Sequence, residues 1–257
     1  MHHRSSLQTW LSQGKRQLLS LFLAEPCPLC QRAAAAVLCP SCCRQVQQCQ
    51  SLTPCDRSIP GLAVLSWGRY EDSLRQAIGS LKYSGHTGLA QFLGTELGQT
   101  WLDHQPRSGA SSWPVAIVPI PLHPTRLQQR GFNQADLLGQ WFCRLTGLSL
   151  HSHGLLRVQA TQAQHSLNRL SRQQNLAQAF AVNPAQLKAL QQSTVWLLDD
   201  IFTTGATAQS AALALRRSGI AVEGICTVAR PKVWAAPPNL KKIDLEIDVG
   251  YGFPRKY

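Results

Sequence analysis

The run TVWLLDDIFTTGATAQSAALALRRSGIAVEGICTVA, residues 194–229, constrains the fold more than any other part of the chain. It opens as an apolar strand, turns near Gly205, continues as a helix with alanine and leucine at helical spacing, stops at Gly219 and resumes as a second apolar strand. Strands that are apolar at nearly every position are buried on both faces, and two of them joined through a helix lie parallel in one sheet. The same grammar recurs upstream. GLAVLSW (61–67) and VAIVPIPL (115–122) read as strands, while EDSLRQAIGSLKY (71–83) and QADLLGQWFCRL (134–145) read as helices, the first with Leu74, Ala77, Ile78 and Leu81 on one face. The expectation is an α/β fold, a parallel sheet flanked by helices. With 257 residues and 44% hydrophobic content, the chain has material for one such domain and a small appendage.

The appendage lies near the front. Seven of the nine cysteines fall between positions 27 and 55. CPLC and CPSC present Cys27, Cys30, Cys39 and Cys42 as two C-x2-C knuckles, an arrangement that turns four thiolates toward one tetrahedral zinc ion. A lone C-x2-C can also be an exposed redox pair; two in tandem favour the metal. Cys43, Cys49 and Cys55 follow without a matched pair, and Cys143 and Cys226 sit in helix and strand patterns as small buried residues. Ahead of the cysteines, residues 5–23 read as an amphipathic helix packed through Leu7, Trp10, Leu11, Leu18 and Phe22. Its LLSLFLA segment is much shorter than the ~20 residues that span a bilayer and lacks a small-x-small cleavage site. A cytoplasmic protein without a membrane span is expected, a compartment that also keeps thiols available to metal. These shifts divide the chain into an N-terminal helix (1–24), a four-cysteine zinc-ribbon module (25–57), the α/β domain (58–232) and a C-terminal extension (233–257) with one candidate edge strand, IDLEIDVGYGF.

The chemistry concentrates where the strand at 194–200 ends. An apolar strand closing on Asp199 and Asp200 resembles the metal strand of a nucleotide triphosphatase, but that reading needs a G-x-x-x-x-G-K-[ST] loop, and neither this nor G-x-G-x-x-G occurs. What remains is two carboxylates, a turn rich in hydroxyls and backbone amides, and a helix N-terminus, which attracts phosphate. Two acids repel a phosphate, so they bind another part of the ligand. A ribose bearing a 5-phosphate satisfies both: Asp199 and Asp200 accept from its hydroxyls, and the turn Thr203, Thr204, Gly205, Ala206 and Thr207 holds the phosphate. Each charge-assisted hydrogen bond contributes about 1.5–3 kcal/mol.

LLDDIFTTGAT resembles the phosphoribosyl pyrophosphate (PRPP) signature of type I phosphoribosyltransferases. The wider chain resembles the ComF/GntX family of competence and DNA-utilisation proteins, through the four-cysteine module, LKYSGH (81–86), VPIPLHPTRLQQRGFNQA (118–135), RLSRQQNLAQAF (169–180) and the PRPP motif, in that order. The resemblance implies a type I phosphoribosyltransferase-like sheet with an N-terminal zinc ribbon, PRPP as ligand with magnesium carried by the substrate, and a role in DNA uptake or in the use of DNA as nutrient. Members often carry a fuller second cysteine set; here Cys49 and Cys55 lack neighbours, so one structural zinc is expected.

The other segments agree with that placement. PLHPTRLQQRGFNQ links a strand to a helix at the same sheet edge, so Arg126 and Arg130 can face pyrophosphate, with arginine forks matching phosphate oxygens. Lys82 is a third candidate, read alternatively as a solvated helix-end charge. His86 and His123 are weak candidates for general bases, and nothing in the sequence spells an acceptor site. The formal net charge is +12 at a pI near 9.7, and the window 120–175 holds six arginines against the single acid Asp136. Within it, LLRVQATQAQHSLNRLSRQQNLAQAF reads as a flap or insertion, and Arg157, Arg169 and Arg172 are candidates for contact with single-stranded DNA. Two readings stay open: a phosphoribosyltransferase of unknown acceptor, and a non-catalytic accessory protein that binds single strands or the DNA-uptake machinery.

Overall fold

The computed structural model describes residues 26–104, 113–158 and 179–231. The expected helix at 5–23, Arg169, Arg172, most of the flap and the C-terminal extension lie outside the described residues.

Six strands form one sheet. In chain order they are β1 (Cys55–Asp56), β2 (Ala63–Arg69), β3 (Val115–Pro119), β4 (Ser149–Leu150), β7 (Thr194–Ile201) and β8 (Ala221–Arg230), and across the sheet they run β1-β2-β8-β7-β3-β4. Every neighbouring pair is parallel except β1 with β2, as the apolar strand pattern predicts. A separate antiparallel hairpin pairs β5 (Leu155–Arg157) with β6 (Phe180–Val182). The helices are α1 (Pro40–Gln47), α2 (Asp72–Tyr83), α3 (Gly88–His104), α4 (Pro124–Arg130), α5 (Gln134–Thr146), α6 (Leu187–Gln191) and α7 (Ala206–Arg217).

Two apolar clusters cover the two faces. One contains Trp196 and Leu198 of β7 with Trp67, Leu74, Leu89 and Phe142; the other contains Val195 and Leu197 of β7 with Val118, Ala211 and Ile225. The alternation along β7 follows from the strand's period of two. The first cluster also takes in Cys27, Leu38, Cys39, Cys42 and Val46, so the four-cysteine segment is built into the wall of the main core. Gln76 Nε2 of α2 donates to the Leu29 carbonyl at 3.2 Å, and Gln47 Nε2 of α1 to Glu96 Oε1 of α3 at 3.2 Å.

Two elements differ from expectation. The segment read as the strand 115–122 pairs only as far as Pro119, and Ile120 N–H then donates to the Leu198 carbonyl at 2.9 Å. The connection after it, read as a loop, contains the exposed helix α4, whose N-cap His123 accepts from Thr125 N–H, with Pro124 in its first turn. Proline pre-sets a helical φ where no N–H is needed.

Candidate functional site

The cysteine knuckles close on a common point. Cys27 N–H donates to the Arg32 carbonyl and Gln31 N–H to the Cys27 carbonyl, each at 2.8 Å, which folds the first C-x2-C back on itself. Cys39 is the N-cap of α1, and Cys42 stands in that helix's first turn. All four Sγ atoms lie within 4.8 Å of one another, with Cys30 and Cys39 3.5 Å apart. Four thiolates around zinc at ~2.3 Å bonds have edges of roughly 3.8 Å, so this donor set fits zinc. Burial pushes the Cys27 thiol up, but the backbone amides of Cys39, Leu29 and Cys30 outweigh it and bring it down to about 6. The Cys42 amide lowers Cys39 as well, whereas burial raises Cys42. Cys43, Cys49 and Cys55 join no second cluster among the described residues. Cys143 and Cys226 are buried, as their patterns predict.

The second site lies at the carboxyl end of β7. From β7 the chain crosses through α7 to β8 on one side, while from β3 it passes through α4 and α5 to β4 on the other. A crevice opens at such a point of divergence, the usual ligand position in an open parallel sheet. The turn 203–207 lies at this point, between β7 and α7. Gly205, the N-cap of α7, has a φ of +77°, and a Cβ there would stand 2.7 Å from Phe202 Cζ. Conformation and space both require glycine. Thr203 and Thr204 are exposed, Ala206 and Thr207 half-buried, and α7 has no acid in its first turn. Ala206 N–H donates to Thr204 Oγ1 at 3.4 Å, and no carboxylate of the helix competes for the remaining leading amides.

The acids behind this turn do different things. β7 runs through Ile201, so Asp199 and Asp200 point to opposite faces of the sheet. Asp200, only 4% exposed, pairs through Oδ2 with Lys82 Nζ at the end of α2, while Gln134 Nε2 approaches its Oδ1 at 3.5 Å. Lys82 is thus paired inward and not a solvated helix-end charge, with further N–H donors beyond the one that meets Asp200. Gln134 in turn accepts from Arg130 Nη1, which makes a chain Arg130–Gln134–Asp200–Lys82 on one face. Half-buried Asp199 accepts the Asp200 N–H at 2.8 Å. Burial, then the neighbouring Asp200 charge, pushes the Asp199 carboxyl well above the usual carboxylate range, with Lys82 opposing only in part.

Arg126 and Arg157 belong to the Asp199 side. Arg157 lies on β5, its guanidinium 5.3 Å from the centroid of the Phe180 ring. Burial lowers its pKa most; the Arg126 charge lowers it further and the Asp199 charge raises it. The structure therefore brings half-buried Arg157 toward Asp199 rather than out along a flap, whereas Arg130 is joined to Asp200 through Gln134. His123 is occupied as the cap of α4, and His86 stands in the turn after Tyr83.

Three residues escaped the sequence reading. Gln134 gives no sign from sequence of joining Arg130 to Asp200. Asn133 caps α5 by accepting from Ala135 N–H at 3.1 Å and donates to the Ile120 carbonyl at 3.1 Å, which holds the loop to β3. Asn in front of a helical pattern was the available signal. Thr227 of β8 stands beside Asp199 in register, fully buried, and its hydroxyl has no hydrogen-bond partner among the described residues.

No family model matches the chain. It is 33% identical over 208 residues to DNA utilization protein YhgH of Escherichia coli strain K12, covering 78% of this chain and 88% of that protein. It is 36% identical over 107 residues to Competence protein F of Haemophilus influenzae, 42% of this chain and 46% of that one. Competence protein ComFC of Bacillus subtilis is 25% identical over 150 residues, 58% of this chain and 56% of that one. Coverage of more than three quarters of the chain at this identity, together with the cysteine centre and the sheet-end turn, means that the chain belongs to the ComF family of competence and DNA-utilisation proteins.

Proposed function

We propose that this protein binds PRPP with its magnesium at the carboxyl end of β7 and acts in the uptake or utilisation of DNA, the role named for its relatives. The observation that carries the PRPP reading is the glycine-headed turn of α7, whose amides and threonines are presented directly beyond an acid pair. The turn takes the 5-phosphate, and Asp199 accepts from the ribose hydroxyls. Arg126 and Arg130 neutralise pyrophosphate. Lys82, anchored to Asp200, can add an N–H donor to them. Magnesium arrives with the substrate and spreads the pyrophosphate charge. If the group is transferred, the chain's contribution is to hold a leaving group of several charges as the glycosidic bond opens; this is transition-state electrostatics and needs no covalent residue.

Calorimetry on the full chain tests this with three ligands, Mg-PRPP, ribose 5-phosphate and orthophosphate. Asp199→Asn should weaken the first two by about tenfold, the loss of one hydrogen bond to a charged group. Orthophosphate, which meets only the turn, should bind as well or better. Unchanged Mg-PRPP affinity in the folded variant overturns the assignment of Asp199 to the ribose. Pyrophosphate release in the presence of a panel of nucleobases then separates a transferase from a ligand-sensing scaffold.

A second reading, direct contact with single-stranded DNA, is supported by one further observation. Segments 80–89 and 120–135, which meet where Arg130 covers Tyr83, carry Arg126 and Arg130 besides the inward-paired Lys82, and no acidic residue. Such a surface attracts a phosphodiester backbone.

A further inference from the structure

Tyr83 is the last residue of α2 and keeps 82% of its surface exposed. A single exposed aromatic is ordinary. This one differs in what surrounds it. The Arg130 guanidinium lies 5.5 Å from its ring centroid and is steadied in turn by Gln134. Leu127, one turn earlier on α4, is 43% exposed, and no acidic side chain belongs to either segment that forms this rim. The chain places the ring directly after Lys82, whose ammonium is drawn inward to Asp200. The result is an aromatic surface with a fixed cation against it, most of it in solvent, on the edge of a basic crevice.

We propose that Tyr83, backed by Arg130, is a stacking platform for an unpaired base of single-stranded DNA. It rests on the DNA-contact reading above and names the residue that would give that contact a preference for single strands. Arg130 can neutralise a phosphate beside a base laid on the ring, whereas a duplex keeps its bases stacked on one another and offers none to it. Stacking on an aromatic tolerates every base because each has a π-face.

The test measures anisotropy of fluorescein-labelled dT12 with the full chain over a series of salt concentrations. Tyr83→Ala should weaken binding roughly 5- to 100-fold, the span reported by aromatic-to-alanine changes at stacked bases. Tyr83→Phe should restore it. Because no charge is removed, the slope of log affinity against log salt should stay as in the wild type while the whole line drops. Substituting 5-iodouracil in the oligonucleotide and irradiating should give an adduct that mass spectrometry places on Tyr83. A wild-type chain that fails to bind dT12 at low salt overturns the DNA-contact reading and this proposal together. Equal binding by wild type and Tyr83→Ala, with adducts elsewhere, overturns the stacking role alone. Loss of Mg-PRPP affinity in Tyr83→Ala would also overturn it, by showing that the ring serves to hold Arg130 for that ligand. Displacement of dT12 by free thymine at equal concentration would assign the ring to a lone base and not to a strand.

Discussion

Adjacent aspartates at the end of one strand invite treatment as a unit, yet the pleat separates them. Asp200 is part of a buried ion pair with Lys82, whose side chain is 15% exposed against 5% for Asp200. Removing one partner of such a pair leaves a desolvated charge, so Asp200→Asn should cost about 3 kcal/mol. Asp199 behaves oppositely. Its carboxyl titrates well above its ordinary 3.8, so across the intervening range the folded protein holds a proton that the unfolded chain has released. Stability contributed by this residue is therefore present at low pH and is lost as pH rises from the unfolded value through the folded one. Asp199→Asn should match the wild type below pH ~4 and exceed it increasingly above, up to a plateau. Melting temperatures of both variants between pH 4 and 9 check this. Two losses, or a gain for Asp199→Asn that shrinks with pH, would contradict the assignment.

Among the described helices, α3 and α5 pack most extensively against each other. Gly94 of α3 approaches so near that a Cβ would stand 2.6 Å from the Leu138 carbonyl oxygen and 2.9 Å from Trp141 Cβ. Gly79 of α2 meets nothing within 4 Å. Alanine is favoured over glycine in a helix by up to ~1 kcal/mol, so Gly79→Ala should stabilise the protein. Gly94→Ala must push backbone apart and should destabilise it by about 1–3 kcal/mol, opposite in sign for the same chemical change. Denaturant titration of the pair decides. The same contact explains what sequence could and could not disclose. The unit β7–α7–β8 was legible because its cues are local: apolar runs, a threonine-glycine turn and Gly219. Helix α3 was not, because Leu89, Leu93, Leu97 and Trp101 on its buried face are interleaved with Gly94 and Gly98, which read as breakers until α5 is laid against them. The hairpin β5–β6 has three residues per strand, too few for a period to show. At the site, the turn 203–207 was visible from its composition, whereas the link of Asp200 to Lys82 and Gln134 joins residues far apart in the chain and depends on how α2 and α5 meet the sheet.

At the scale of the whole molecule, the four-cysteine segment and the sheet share one apolar cluster, in which Cys27, Cys39, Cys42 and Val46 pack with Trp67, Leu74 and Leu89. A zinc ion there would hold together a wall of the main core, since the four-cysteine segment reaches α2 through Gln76 and α3 through Gln47 of α1. Those two helices flank the loop after Lys82, so the order of the crevice depends on the same wall. Structural zinc in zinc-finger peptides contributes roughly 10–16 kcal/mol of apparent binding energy at neutral pH, comparable to the ~5–15 kcal/mol stability of an entire domain. Metal analysis should therefore find about one zinc per chain. Removal by a strong chelator should lower the melting temperature of the whole protein in a single transition, monitored by the fluorescence of buried Trp67 and Trp196 on the same face. Cys39→Ser should do the same without chelator. Affinity for orthophosphate should fall in parallel with the folded fraction. Two separate transitions, with the tryptophan signal and phosphate binding untouched by chelation, would mean that the segment folds as an independent appendage. Its packing against α2 and α3 would then contribute too little to couple the metal to the sheet.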